Sequence, residues 1–255
     1  MAPSAELYCT TCIAVVENIC QNVEWLISSG VNVINISYGL TNASGIYDDF
    51  TKWTDHVVFY HGISFVKSSG NGGNQNQYVT RPGDAYNVIT VGAINEHNTV
   101  RTDDDTLYEK SSYKTGSGMP MKPDVVAPGA EGTSFAAPHV TGMIAQMMSF
   151  CPSLKFRPDA IKAAVVASCD RKTTNESINS ITNKEGSGVV NAINAANSIS
   201  NVLIQKTYYY TNESSFSFDF YPLTTGTKTI AIAWLKKQLY TELTHHHPVF
   251  LIPRL

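Results

Sequence analysis

Residues 132–140 read Gly132-Thr133-Ser134-Phe135-Ala136-Ala137-Pro138-His139-Val140. A pair of small residues leads into a serine, and an apolar pattern at helical spacing follows at once. Ala137, Val140, Ile144, Met147 and Met148 recur on one face up to Phe150. Ser134 therefore opens a helix. The first backbone N–H groups of a helix have no partner within it, and the helix dipole favours negative charge there. A hydroxyl at that place can cap the helix. It can also attack a carbonyl whose developing oxyanion the free N–H groups receive. This stretch alone leaves both roles open.

Working outward, strands and helices alternate. Ala2 to Tyr8 reads as a short opening strand, and Thr11 to Ser29 as an amphipathic helix ended by Gly30. Val31 to Ile36 is an apolar strand of the kind covered on both faces. A helix over Asp48 to Tyr60 follows, stopped by Gly62. Strands come next at Ile63–Lys67, Val88–Gly92 and Asp124–Val126. Behind the Ser134 helix lie a helix over Pro158–Ser168, a polar loop over Thr173–Gly188 and a short helix over Val189–Ile199. This order predicts an α/β fold with a mostly parallel sheet between helical layers, and ligands at the carboxyl ends of its strands. Ser37-Tyr38-Gly39 and Ser68-Ser69-Gly70-Asn71-Gly72-Gly73 fall there. The character changes near Asn201. Phe216, Phe218 and Phe220, then Ile230, Ile232 and Trp234, alternate with other residues about Thr224-Thr225-Gly226. Residues 201–255 thus read as a partial antiparallel β unit, too small to stand alone.

Composition narrows the function classes. The chain has 255 residues, 43% hydrophobic and 15% charged, as in a folded protein. A net charge of −3 without a basic block argues against a nucleic-acid partner. No apolar run is long enough to span a bilayer, and residues 1–6 do not look like a signal peptide. Location is left open. The five cysteines are too few and too scattered for a disulfide scaffold. Cys9 and Cys12 have half-site spacing without a second ligand pair, and His245-His246-His247 lies far from them in the chain.

The glycine-rich segment after Lys67 admits three readings. A phosphate-cradling loop fails, because position 75 is Gln75 and no Gly-Lys-Ser/Thr occurs. A plain turn suits Asn and Gly. An amide on such a turn could also aim an N–H at a reacting carbonyl oxygen.

The wording of residues 132–140 closely resembles the nucleophile segment of the subtilisin-like serine proteases (subtilases). Ser69-Gly70-Asn71-Gly72 resembles their oxyanion-asparagine segment. Val33-Ile34-Asn35-Ile36-Ser37-Tyr38-Gly39 is similar to their substrate-binding strand. Lys122 to Gly129 and Gly186 to Ala192 resemble the segments that precede the nucleophile and close the domain. The resemblance implies a three-layer subtilisin-like domain over residues 1–200, truncated at its N-terminus. It implies a serine-type endopeptidase in which Ser134 is the nucleophile. Asn71 and the Ser134 N–H would form the oxyanion hole. Ser37, Tyr38 and Gly39 would face Ser68, Ser69 and Gly70 across a cleft for an extended peptide. His139 is structural in such a motif. No cofactor is implied beyond calcium, which is common in the family, and no matching ligand loop is found.

The departures are equally specific. The family's Asp-(Thr/Ser)-Gly and His-Gly-Thr-His segments are absent, and His61-Gly62 merely joins a helix to a strand. The triad Asp and His are thus not present in the chain, whose start resembles the strand just after them. Only Ala130 and Glu131 separate Gly129 from Gly132, where the family carries a longer segment. A serine hydroxyl needs a base and an orienting group. A catalytically inactive relative that binds peptides or another protein is therefore the alternative.

Overall fold

The computed structural model describes residues 2–11, 13, 15–41, 44–73, 77–173, 184–200, 231, 233 and 235–236. The elements run α1 (Val16–Ser28), β1 (Val33–Ile36), α2 (Asp49–His61), β2 (Ser64–Ser68), β3 (Ile89–Asn95), β4 (Thr106–Leu107), β5 (Val125–Pro128), α3 (Thr133–Phe150), α4 (Pro158–Ala167) and α5 (Ala192–Ser200). A 3-10 turn, Pro152–Phe156, joins α3 to α4.

The pairs β1–β2, β2–β3 and β3–β5 are parallel, and β4 joins β3 antiparallel. Successive strand residues point to opposite faces, so each strand feeds two cores. On β2, Phe65 packs with α1 and α2 residues such as Ile19, Val23, Trp53 and Val58. Its neighbour Val66 packs instead with Val140, Ile144 and Met147 of α3 and with Ile161 and Val165 of α4. The result is the expected three-layer α/β arrangement, with α3 seated across the strands.

Several local expectations change. Ala2–Tyr8 forms no strand; it is largely exposed, and its one backbone turn bond runs from Ala5 N–H to Ala2 O at 3.1 Å. An isolated extended segment lacks the ladder that would define it. Helix α1 starts at Val16 rather than Thr11. Strand β3 continues past Gly92 to Asn95, where β4 pairs with it. Val189 belongs to no helix and instead bridges Val126 and Arg171. The β hairpin expected around Thr224–Gly226, Cys12 and His245–His247 lie outside the described residues. Of the 201–255 segment, Leu235 packs on the α1/α2 core. The Lys236 main chain pairs with the Asn87 side-chain amide, at 2.7 and 3.0 Å.

Candidate active site

Gly132 is the N-cap of α3, at φ +149°, a backbone region that glycine adopts without a Cβ penalty. With no side chain of its own, it cannot cap the helix. Asn71 does so from another element. Its Oδ1 accepts the Thr133 N–H at 3.0 Å and the Thr133 hydroxyl at 3.0 Å. Thr133 Oγ1 in turn accepts the Gly70 N–H at 3.1 Å. The glycine turn carrying Asn71 is held from below, where Ser112 Oγ accepts the Gly72 N–H at 2.9 Å. The capping role open to Ser134 is thus filled by Asn71. A Cβ on Gly132 would lie 3.2 Å from Asn71 Nδ2, so the donor end of the amide stands over the helix start.

Ser134 occupies the second position of α3 and is half-buried. Its carbonyl would ordinarily accept the N–H four residues on. That residue is Pro138, which has none. Ser37 Oγ supplies the missing donor at 2.8 Å. Asn35 Nδ2 donates to Ser37 Oγ at 3.0 Å, and Thr141 Oγ1 on α3 donates to Asn35 Oδ1 at 3.0 Å. Asn35 and Thr141 therefore lock the start of α3 to the end of β1. Sequence reasoning missed this pair, and also Thr133. Pro138, four residues beyond Ser134, was the available signal.

The two expected cleft walls differ. Ser68–Gly70 spends its backbone groups inside the protein. Ser69 N–H donates to Val91 O at 2.8 Å, Ser69 O accepts from Thr80 N–H at 2.9 Å and Gly70 O from Ser112 N–H at 3.0 Å. No such bond outside the strand ladder involves Ser37 or Gly39 among the described residues. Of the two expected walls, Ser68–Gly70 is thus the one whose backbone is committed within the fold. The short lead-in to Ser134 closes as a tight turn, with Gly132 N–H on Gly129 O at 2.9 Å. A Cβ on Gly129 would meet the Ala136 Cβ at 2.9 Å, so β5 and α3 approach too closely there for any side chain.

Among the described histidines none bonds to Ser134 Oγ. His97 Nε2 contacts Thr106 Oγ1 at 3.0 Å, His56 stacks near Tyr60, and His139 is exposed on α3. No group of three or more His, Cys, Asp or Glu side chains that could hold a metal forms among the described residues.

A profile of the subtilase family matches residues 1–192. The chain belongs to the subtilase family. It is 29% identical to Subtilisin BL of Lederbergia lenta over 211 residues, 75% of this chain and 68% of that protein. It is 30% identical to the serine protease AprX of Bacillus subtilis (strain 168) over 162 residues, 52% of this chain and 35% of AprX. In structure it resembles the prenylagaramide maturation protease PagA, with a TM-score of 0.56 and 20% identity, over 76% of this chain and 70% of PagA. The fold is therefore the subtilisin-like α/β fold. The family makes the chain a serine endopeptidase by class and implies a peptide substrate. No described helix of this subtilase is long and apolar enough to cross a membrane.

Proposed function

We propose that these residues form the acyl-transfer and peptide-docking half of a subtilase site. The observation that carries this reading is the Asn71–Thr133 pairing. It brings an amide and the N-terminus of the Ser134 helix together across 62 residues of chain. Ser134 Oγ would attack the scissile carbonyl. Asn71 Nδ2 and the Ser134 N–H would receive the oxyanion, because the Asn71 oxygen is already engaged by Thr133. The substrate would lie extended along Ser37–Gly39 as an added strand. No cofactor enters this chemistry.

The base and its orienting carboxylate are assigned to residues outside these 255. The isolated chain should then bind peptides without turning them over. Incubation with a fluorescent peptide and a serine-reactive phosphonate tests this. Binding without turnover, and only weak Ser134 labelling, is the expected result. Turnover that disappears in Ser134→Ala would show that a base lies within the chain. The absence of binding favours neither catalysis nor docking and overturns the cleft. An in-frame Asp-Ser/Thr-Gly and His-Gly-Thr-His upstream of Met1 would separate an endopeptidase segment from a relative that only binds.

A further inference from the structure

The Lys236 ammonium lies over two aromatic rings at once, 4.2 Å from the Tyr47 ring centre and 3.8 Å from that of Tyr86. The rings meet edge to face at 5.3 Å and 88°, so they form the two walls of a corner. Each is fixed through its hydroxyl. Tyr47 donates to Asp55 Oδ2 at 2.6 Å, and Tyr86 to Gly118 O at 3.0 Å. Asp55 is buried, and its carboxylate also receives the N–H groups of Tyr86 at 3.1 Å and Asn87 at 2.6 Å. One carboxylate therefore sets the Tyr47 ring and the main chain that carries Tyr86 and Asn87. Asn87 supplies the third side. Its amide accepts the Lys236 N–H at 2.7 Å and donates to the Lys236 carbonyl at 3.0 Å, which pairs both main-chain groups of that residue as a neighbouring strand would. Lys236 makes no ion pair among the described residues, so the two rings are what its charge touches. The preceding side chain, Leu235, packs on the α1/α2 core.

We propose that Tyr47, Tyr86 and Asn87 form a receptor for an extended Leu-Lys segment, and that Leu235–Lys236 of this chain occupies it as a latch. The ligand comes from 149 residues beyond Asn87, so the receptor exists apart from the segment that fills it. Main-chain pairing to the Asn87 amide gives hold without choice, since any residue but proline offers the same two groups. The choice comes from the side chains. The apolar layer takes the leucine, and the aromatic corner takes a cation over its faces. Tyr47 strengthens that preference, because a phenol that donates to a carboxylate is polarised toward negative charge. The latch lies at the amino-terminal end of β3, which begins at Ile89. Asn71 and Ser134 follow the carboxyl ends of β2 and β5, strands parallel to β3. The latch therefore holds the chain at the end of the sheet away from Ser134, as a tether and not as a plug for the cleft.

The test is fluorescence anisotropy of dye-labelled Ala-Trp-Leu-Lys-Gln-amide on two full-length chains. One is native; the other carries Leu235→Ser and Lys236→Glu, which remove the ligand and leave every receptor residue in place. A segment of the same chain outcompetes a free peptide through its high effective concentration. The peptide should therefore bind the double variant at least about tenfold tighter than the native chain. A peptide with norleucine for lysine keeps the stem without the ammonium, and should bind the variant at least about fivefold more weakly, as loss of a cation–π contact requires. Tyr47→Leu added to the double variant should erase that ratio, and Tyr47→Phe should keep most of it. Equal binding to the native and double-variant chains would put the peptide elsewhere, the Ser37–Gly39 cleft included, and overturns the receptor while the cleft stands. Equal binding of the lysine and norleucine peptides overturns the role of the rings; this arm needs no change in the receptor. Failure of the peptide to bind the double variant overturns the proposal outright.

Discussion

Ser134 depends on a residue that it does not touch through its side chain. Pro138 deprives the Ser134 carbonyl of its helical partner, and Ser37, 97 residues earlier, takes the vacancy. A partly buried carbonyl left without a donor costs about 1–3 kcal/mol. Ser37→Ala should therefore lower unfolding free energy by about 1–2 kcal/mol in denaturant titrations. In a Pro138→Ala background the helix can supply the N–H at position 138, and the same substitution should cost distinctly less. Equal costs in the two backgrounds would show that the carbonyl does not depend on Ser37. Asn71 illustrates the same scale. As a turn residue it was evident in the sequence. That its oxygen, rather than the Ser134 hydroxyl, caps α3 could not be read from local pattern, because the two lie on different elements.

A buried charge cluster ties the elements together at the amino-terminal ends of β3 and β5. Asp124, just before β5, accepts the Thr90 N–H of β3 at 2.7 Å and Lys122 Nζ at 2.7 Å. It also pairs with Lys162 of α4 at 3.0 Å. Lys122 further donates to Val88 O at 2.7 Å, so strand, turn and helix meet at one carboxylate. Burial alone would raise the Asp124 pKa, yet the two lysines hold it below the ordinary value. Asp124→Asn leaves two cations without their carboxylate and should destabilise the fold by about 3–5 kcal/mol, as broken buried ion pairs do. A loss below about 1 kcal/mol in calorimetry would mean that solvent reaches the cluster. Helical periodicity made α2, α3 and α4 legible to within a few residues. The two-residue β4 was not, because two residues carry no period.

Across the whole molecule, β1 forms the edge of the described sheet, and the buried lysines give the fold a pH signature. The unfolded chain keeps the Lys67 proton up to about its ordinary value of 10.5, whereas burial lets the folded chain lose it above about 7. Between those values the unfolded chain binds more protons, so stability should rise with pH. Lys122, pushed down to about 8 by burial against the pull of Asp124, adds to the rise above pH 8. Asp84 works in the opposite sense at lower pH. Burial raises it from 3.8 to about 6, so stability should fall as pH climbs through that interval. Thermal melts from pH 6 to 10 should show the alkaline rise, with the part between pH 7 and 8 lost in Lys67→Met. A native chain whose melting temperature is flat from pH 7 to 10 would contradict a buried, depressed lysine. The sequence by itself determined the family, the alternation of strands and helices, and the identities of Ser134 and Asn71. Those follow from ordered local wording and from periodicity, which act over a turn or a strand. Tertiary structure alone decided that Asn71 caps α3, that Ser37 completes the Ser134 carbonyl and that Lys67 packs against both Gly39 and Ser68. Each of these joins residues far apart in the chain, and only the packing of α3 across the parallel strands brings them within hydrogen-bond reach.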